Sequence, residues 1–185
     1  AYAAGALEDL GDRSGVDILY ERWKHVGNVA GDEPFGSSIV FFLTSHGGRR
    51  EWQLLHRIAE IEVRDGLGPG TARVYPAVVR SGSAATCPWA IPTLGLALKD
   101  TEMNGSRHLE GVGGQPASLA DEAAERLQDL TGVDFGYHPA GSEEERLAAI
   151  ERAWAWWEAE GRERYTFDAI ATLVEAGDGG CPEPP

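Results

Sequence analysis

The chain has 185 residues, 42% apolar and 25% charged, enough for one domain with its own core or for a short array of stacked units. Its formal charge is −14, and residues 118–164 alone hold twelve Asp and Glu against five Arg, a field that repels phosphate backbones, so no nucleic-acid binding is expected. The longest apolar run, IVFFL at 39–43, falls far short of the roughly 20 residues that a membrane span needs.

The apolar spacing is helical almost throughout. In YAAGALEDLGDR, Ala3, Ala6, Leu7 and Leu10 fall on one face, and in SGVDILYERWK so do Val16, Leu19, Tyr20 and Trp23. Gly11 and Asp12 separate the two, and Ser14 is placed to cap the second, which predicts a helical hairpin. SSIVFFLTSHGG and REWQLLHRIAEIEVRDG predict a second pair, with His46, Gly47 and Gly48 as the turn and Trp52, Leu55, Ile58 and Ala59 on the inner face. TARVYPAVVRSG and PWAIPTLGLALKD read as a third pair. Pro76 inside a helix removes a hydrogen bond and clashes with the preceding turn, so a kink or a short helix is expected there. Pro92 fits the first turn of the helix that follows it.

Residues 101–118, TEMNGSRHLEGVGGQPAS, predict a loop of unusual length. LADEAAERLQDLTG returns to helix, with Leu119, Ala123, Leu127 and Leu130 on one side. VDFGYHPAG leads into a long helix over 143–160, which Ser142 and Glu145 start with a capping box. A last short helix over about 166–176 carries Phe167, Ile170, Leu173 and Val174 on its face. No alternating run bounded by hairpin signals predicts a strand. Helix pairs at intervals of roughly 30–45 residues read as a solenoid, in which each pair buries the apolar faces of its neighbours.

Three stretches are similar to known repeats. AYAAGALEDLGDRSGVDILYERW resembles a HEAT repeat, with Leu10, Gly11, Asp12 and Arg13 matching its turn. AIPTLGLALKD, followed after the insertion by ADEAAERLQDLTG, resembles one as well, with Ala90, Ile91, Pro92, Leu94, Ala97, Leu98 and Asp100 matching the second helix. LTGVDFGYHPAGSEEERLAAIERAWAWWEAEG resembles a C-terminal stretch of bacterial HEAT-like proteins, in which a D-F-G-Y turn precedes a helix bearing W-W. The match is good over 1–24 and 88–160 and weak over 25–86, and it departs from the pattern at Pro76 and at 101–118. The resemblance implies an all-α fold, a right-handed α-α superhelix (a HEAT-like, armadillo-type solenoid) of roughly three to four helix pairs over 1–176, with 177–185 as a tail. It further implies a non-catalytic protein that presents helical surfaces to partners or serves as a scaffold or assembly subunit. Some bacterial members assist chromophore attachment. The alternative is therefore an enzyme or a lyase-type accessory subunit, with a ligand or metal site near the inserted loop or around His56.

AIERAWAWWEAEG, 149–161, puts Trp154, Trp156 and Trp157 within four positions, and successive helical residues turn by about 100°. Leu147, Ile150, Trp154 and Trp157 form one stripe and are expected in the core. Trp156 points about 200° away from Trp154, on the side of Ala149, Arg152, Ala153 and Glu160. It is either covered by the last helix or exposed as an anchor for a partner, since Trp is enriched at interface hot spots. Trp156, Arg152, Glu160 and His108 are the candidate interaction surface. The field predicts a basic or mixed-charge protein partner, and end-to-end self-assembly of open stacks is a variant of that reading.

The other motifs assign no catalytic residue, metal or cofactor. DFG at 134–136 lacks the companion motifs of a kinase, so Asp134 is expected to form a turn and Gly136 to take a positive φ. SHGGRR at 45–50 is followed by no G-x-S-x-G elbow, and EGVGGQ at 110–115 lacks the lysine of a phosphate loop. The five histidines have no partner histidine four residues on. Only His108, near Glu102, Met103 and Glu110, offers a cluster of polar ligands, against the plainer reading of a solvated loop. Cys87 and Cys181 are either a disulfide that pins the tail or two free thiols; the disulfide implies an extracytoplasmic compartment, the thiols a cytoplasmic one. No basic segment followed by an apolar stretch marks a leader. A chain beginning at Ala1 reads as one from which a leader was removed or as a piece of a longer protein.

Overall fold

The structure is a computed structural model that describes residues 40, 43–45, 48–65, 74–101 and 118–175. Helix covers 79% of the described residues and no strand occurs among them, so the fold is all-α. The expected hairpin over 1–24, the interior of the long loop and the tail lie outside the described residues. The chain divides into two compact units, one ending at Val78 and the other beginning at Val79.

In the first unit, α1 spans Arg49–Asp65 and buries Trp52, Leu55, Ile58 and Ala59, the face that the spacing predicts. Its start is closed by Glu51, whose Oε2 accepts the Gly48 amide at 2.8 Å. Near its other end the buried Glu62 accepts the Tyr75 amide at 2.8 Å. Tyr75 is the second residue of α2, Val74–Arg80, and Pro76 is the third. Amides of a first turn have no acceptor within their helix, so a missing N–H is tolerated there. Of the two outcomes expected for Pro76, the short helix is the one that forms.

In the second unit, the Arg126 guanidinium donates to the carbonyls of Val79 and Ser81, which meets acceptors left open where α2 ends. Two 3₁₀ turns, Gly82–Ala85 and Pro88–Ala90, lead into α3, Ile91–Ala97, which has Pro92 in its first turn. After the long connection come α4, Leu119–Thr131, and α5, Glu143–Trp156. A single π turn, Trp157–Gly161, one more helical turn, Arg162–Arg164, and α6, Phe167–Glu175, complete the order. Packing follows the chain, α3 on α4 and α4 on α5. The Ala120 amide donates to the Asp100 carbonyl at 3.1 Å, so the two ends of the 101–118 connection lie side by side. Helix α6 packs on the Pro88–Ala90 turn, where Phe167 stacks on Trp89 with ring centroids 6.1 Å apart. Cys87, next to that turn, is buried.

Helix α5 corrects the expected core stripe. Its buried residues are Arg146, Ala149, Ile150 and Ala153, and Trp157 follows them into the interior. Leu147 is 42% exposed, and Trp154 is only half-buried, with the Lys99 ammonium 4.1 Å from its ring centroid. The buried face of α5 consists largely of small residues, and α4, which packs on it, buries Ala120, Ala123 and Ala124 completely. Alanines on both sides let two helices approach closely and leave the large rings at the edges. Trp157 reaches the interior by lying on Gly95 of α3, where an added Cβ would fall inside the indole. In α6 the expected face is likewise uneven, with Ile170 buried and Leu173 42% exposed.

Candidate functional site

The segment between α4 and α5 is shaped by one side chain of α4. Gln128 accepts the amides of Phe135 at 3.0 Å and Tyr137 at 3.2 Å through Oε1, and its Nε2 donates to the Tyr137 carbonyl at 3.4 Å. Between these two residues the chain turns. Asp134 accepts the Gly136 amide at 2.7 Å, and Gly136 has φ 69°, a left-handed value that disfavours any side chain. The turn role of Asp134 and the positive φ of Gly136 are both as the sequence predicts.

Phe135 and Tyr137 consequently point inward and are buried. The Tyr137 hydroxyl donates to Asp121 Oδ1 at 2.9 Å, and Arg146 Nε lies 3.6 Å from the same oxygen. Asp121 Oδ2 accepts the Ser118 amide and hydroxyl, each at 2.8 Å, and so caps α4. Burial above all, then the Asp121 charge and hydrogen bond, push the Tyr137 pKa far up, against a smaller pull from Arg146. This network ties α4, the turn and α5 together beneath the surface.

On its outer side the same turn forms a cleft of about 330 Å³ against α5, lined by Gly136, His138, Gly141, Glu145, Ala148 and Arg152. Arg152 Nε donates to the Phe135 carbonyl at 2.8 Å, and its guanidinium lies over Gly136, where an added Cβ would stand 3.0 Å from Nη2. Glu145 Oε2 accepts the Ser142 amide and hydroxyl, each at 2.8 Å. The Ser142 amide first and its hydroxyl second hold the Glu145 carboxyl below its ordinary pKa, with His138 adding to the effect. The carboxylate is therefore ionised at neutral pH.

Trp156 stands one turn beyond Arg152. Its ring lies 5.2 Å from Phe135, 6.0 Å from Tyr165 and 6.3 Å from Trp157, and it is half-buried. Its cover comes from Phe135 and Tyr165, whereas the last helix packs on the Pro88–Ala90 turn. The neighbouring indoles are accommodated by the π turn, in which the Arg162 amide donates to the Trp157 carbonyl five residues back. Gly161 faces both rings, and a Cβ there would come within 2.6 Å of Trp157 and 2.9 Å of Trp156.

The structure thus brings two of the sequence-derived site residues together, Arg152 and Trp156, joined through Phe135. Glu160 is exposed in the π turn. His108 and Cys181 lie outside the described residues. His56 is on α1, 3.6 Å from Glu60, and burial lowers its pKa while Glu60 raises it. Sequence reasoning missed the Asp121–Tyr137–Arg146 network, although Ser118 and Asp121 spell a capping box, as well as the π turn, which has no signal beyond Gly161. Among the described residues no three His, Cys, Asp or Glu side chains converge on a metal position, and no helix is long and apolar enough to cross a membrane. No protein-family model, curated protein or solved structure matches the chain.

Proposed function

We propose that this chain is a non-catalytic helical-repeat protein, a short HEAT-like α-α array that docks a protein partner or serves as an assembly subunit. The observation that carries the reading is the pairing of Arg152 and Trp156. Both are fixed on Phe135, and each keeps part of its side chain open to solvent on one face of α5. Arg and Trp are the residue types most often found as interface anchors, and a side chain already held in place loses little freedom on binding. The array is supported by the repeat-like motifs and by packing that follows chain order from α3 to α5. The net charge of −14 favours a basic or mixed-charge partner.

Co-purification from the native source tests this. The wild-type chain should retain a partner that Trp156→Ala loses, with near-UV circular dichroism showing that the fold persists. Glu160→Lys, at an exposed position, repeats the test without touching the aromatic cluster and should weaken capture of a basic partner. A partner held equally by the wild type and both variants overturns the reading.

A further inference from the structure

The cleft beside Arg152 contains three polar groups with unused bonding capacity. Arg152 engages only its Nε, so both terminal nitrogens have no partner among the described residues. Glu145 engages Oε2 and leaves Oε1 open, and the His138 ring has no hydrogen bond among the described residues. Gly136, Gly141 and Ala148 complete the lining between them. A volume of about 330 Å³ falls within the usual range of ligand sites.

From this arrangement we infer that the cleft seats a short mixed-charge segment of the partner protein, with an acidic side chain on Arg152 and a cationic side chain at Glu145. The inference rests on the docking role proposed above and names the chemistry that the face reads. Arg152 and Glu145 are seven residues apart on one helix, about 10 Å, so one compact ion does not reach both. The Nε bond to the Phe135 carbonyl fixes the plane of the guanidinium, and its two Nη groups then match the two oxygens of a carboxylate. The overall field opposes a polyanion. A segment that brings its own cation to Glu145 offsets that repulsion, whereas a lone carboxylate does not.

The test is isothermal titration calorimetry of the full chain with an end-blocked tetrapeptide carrying lysine first, two glycines, and glutamate last. Glu145→Gln keeps the capping box, which accepts Gln as well as Glu, and Arg152→Gln leaves the buried network untouched. Saturable binding is expected with the wild type, weakened about tenfold by either substitution. Replacing the peptide glutamate by glutamine should weaken wild-type binding similarly and add nothing further to Arg152→Gln, as a coupled pair requires. Absence of saturable binding, binding indifferent to Arg152→Gln, or equal binding of free glutamate overturns the inference. Co-purification separates this failure from failure of the docking role. If Arg152→Gln keeps the partner that Trp156→Ala loses, the face stands and the cleft falls; if both keep it, the docking role itself falls.

Discussion

Helices α4 and α5 begin with the same device in two different settings. In each, a serine caps the first turn and a carboxylate three residues on accepts that serine's amide and hydroxyl at 2.8 Å. Ser118 and Asp121 are buried, and the second Asp121 oxygen is engaged by Tyr137 and Arg146. Ser142 and Glu145 are exposed, and the second Glu145 oxygen opens on the cleft. The local motif closes a helix end either way. What surrounds it decides whether the carboxylate joins the framework or stays free to meet a ligand.

The sharpest way to break this comparison is Asp121→Ala. It leaves the Arg146 guanidinium buried without its counter-charge, and chemical denaturation should show a loss of about 3–5 kcal/mol. Tyr137→Phe, which leaves Arg146 beside the same oxygen, should cost about 1–3 kcal/mol. Ser142→Ala in the exposed box should cost only about 1 kcal/mol, the ordinary value of a cap. If Asp121→Ala and Ser142→Ala proved equally mild, the distinction between the two boxes would be lost.

Titration sharpens the comparison further. The folded state raises the Tyr137 pKa above its unfolded value of about 10, so its contribution is complete below that pH and fades as pH rises through it. Thermal midpoints should therefore decline above about pH 10, and Tyr137→Phe should remove its share of the decline. Glu145 has the opposite sign. Its folded pKa is depressed, so its contribution is present above the ordinary carboxylate value and is lost as pH falls through the lowered one. This effect should be the smallest of the set, visible as a slightly flatter acid limb in Glu145→Gln.

Helix existence could be read from spacing wherever apolar residues recur on one face, as with Trp52, Leu55, Ile58 and Ala59. The exposed capping box was equally plain, because its serine stands directly before an acidic run. Ser118 and Asp121 carry the same signal, but Ser118 ends a Gly- and Ser-rich stretch and reads there as loop. The inner face of α5 departs from the stripe of its large apolar side chains, because Leu147 and Trp154 stay at the edge while Ala149 and Ala153 are buried. Arg152 and Trp156 share a side by their spacing of four, and that could be read. The cleft could not, because it depends on Gln128 reaching across to fold the 134–141 segment, a contact that no local pattern encodes.

The central claim is that the face of α5 bearing Arg152 and Trp156 is where a partner sits. Amide hydrogen exchange, compared between the free chain and its co-purified complex, tests it most directly. The account predicts that new protection concentrates in peptides covering 134–160. Protection confined to 49–65, with 134–160 exchanging as in the free chain, would contradict it.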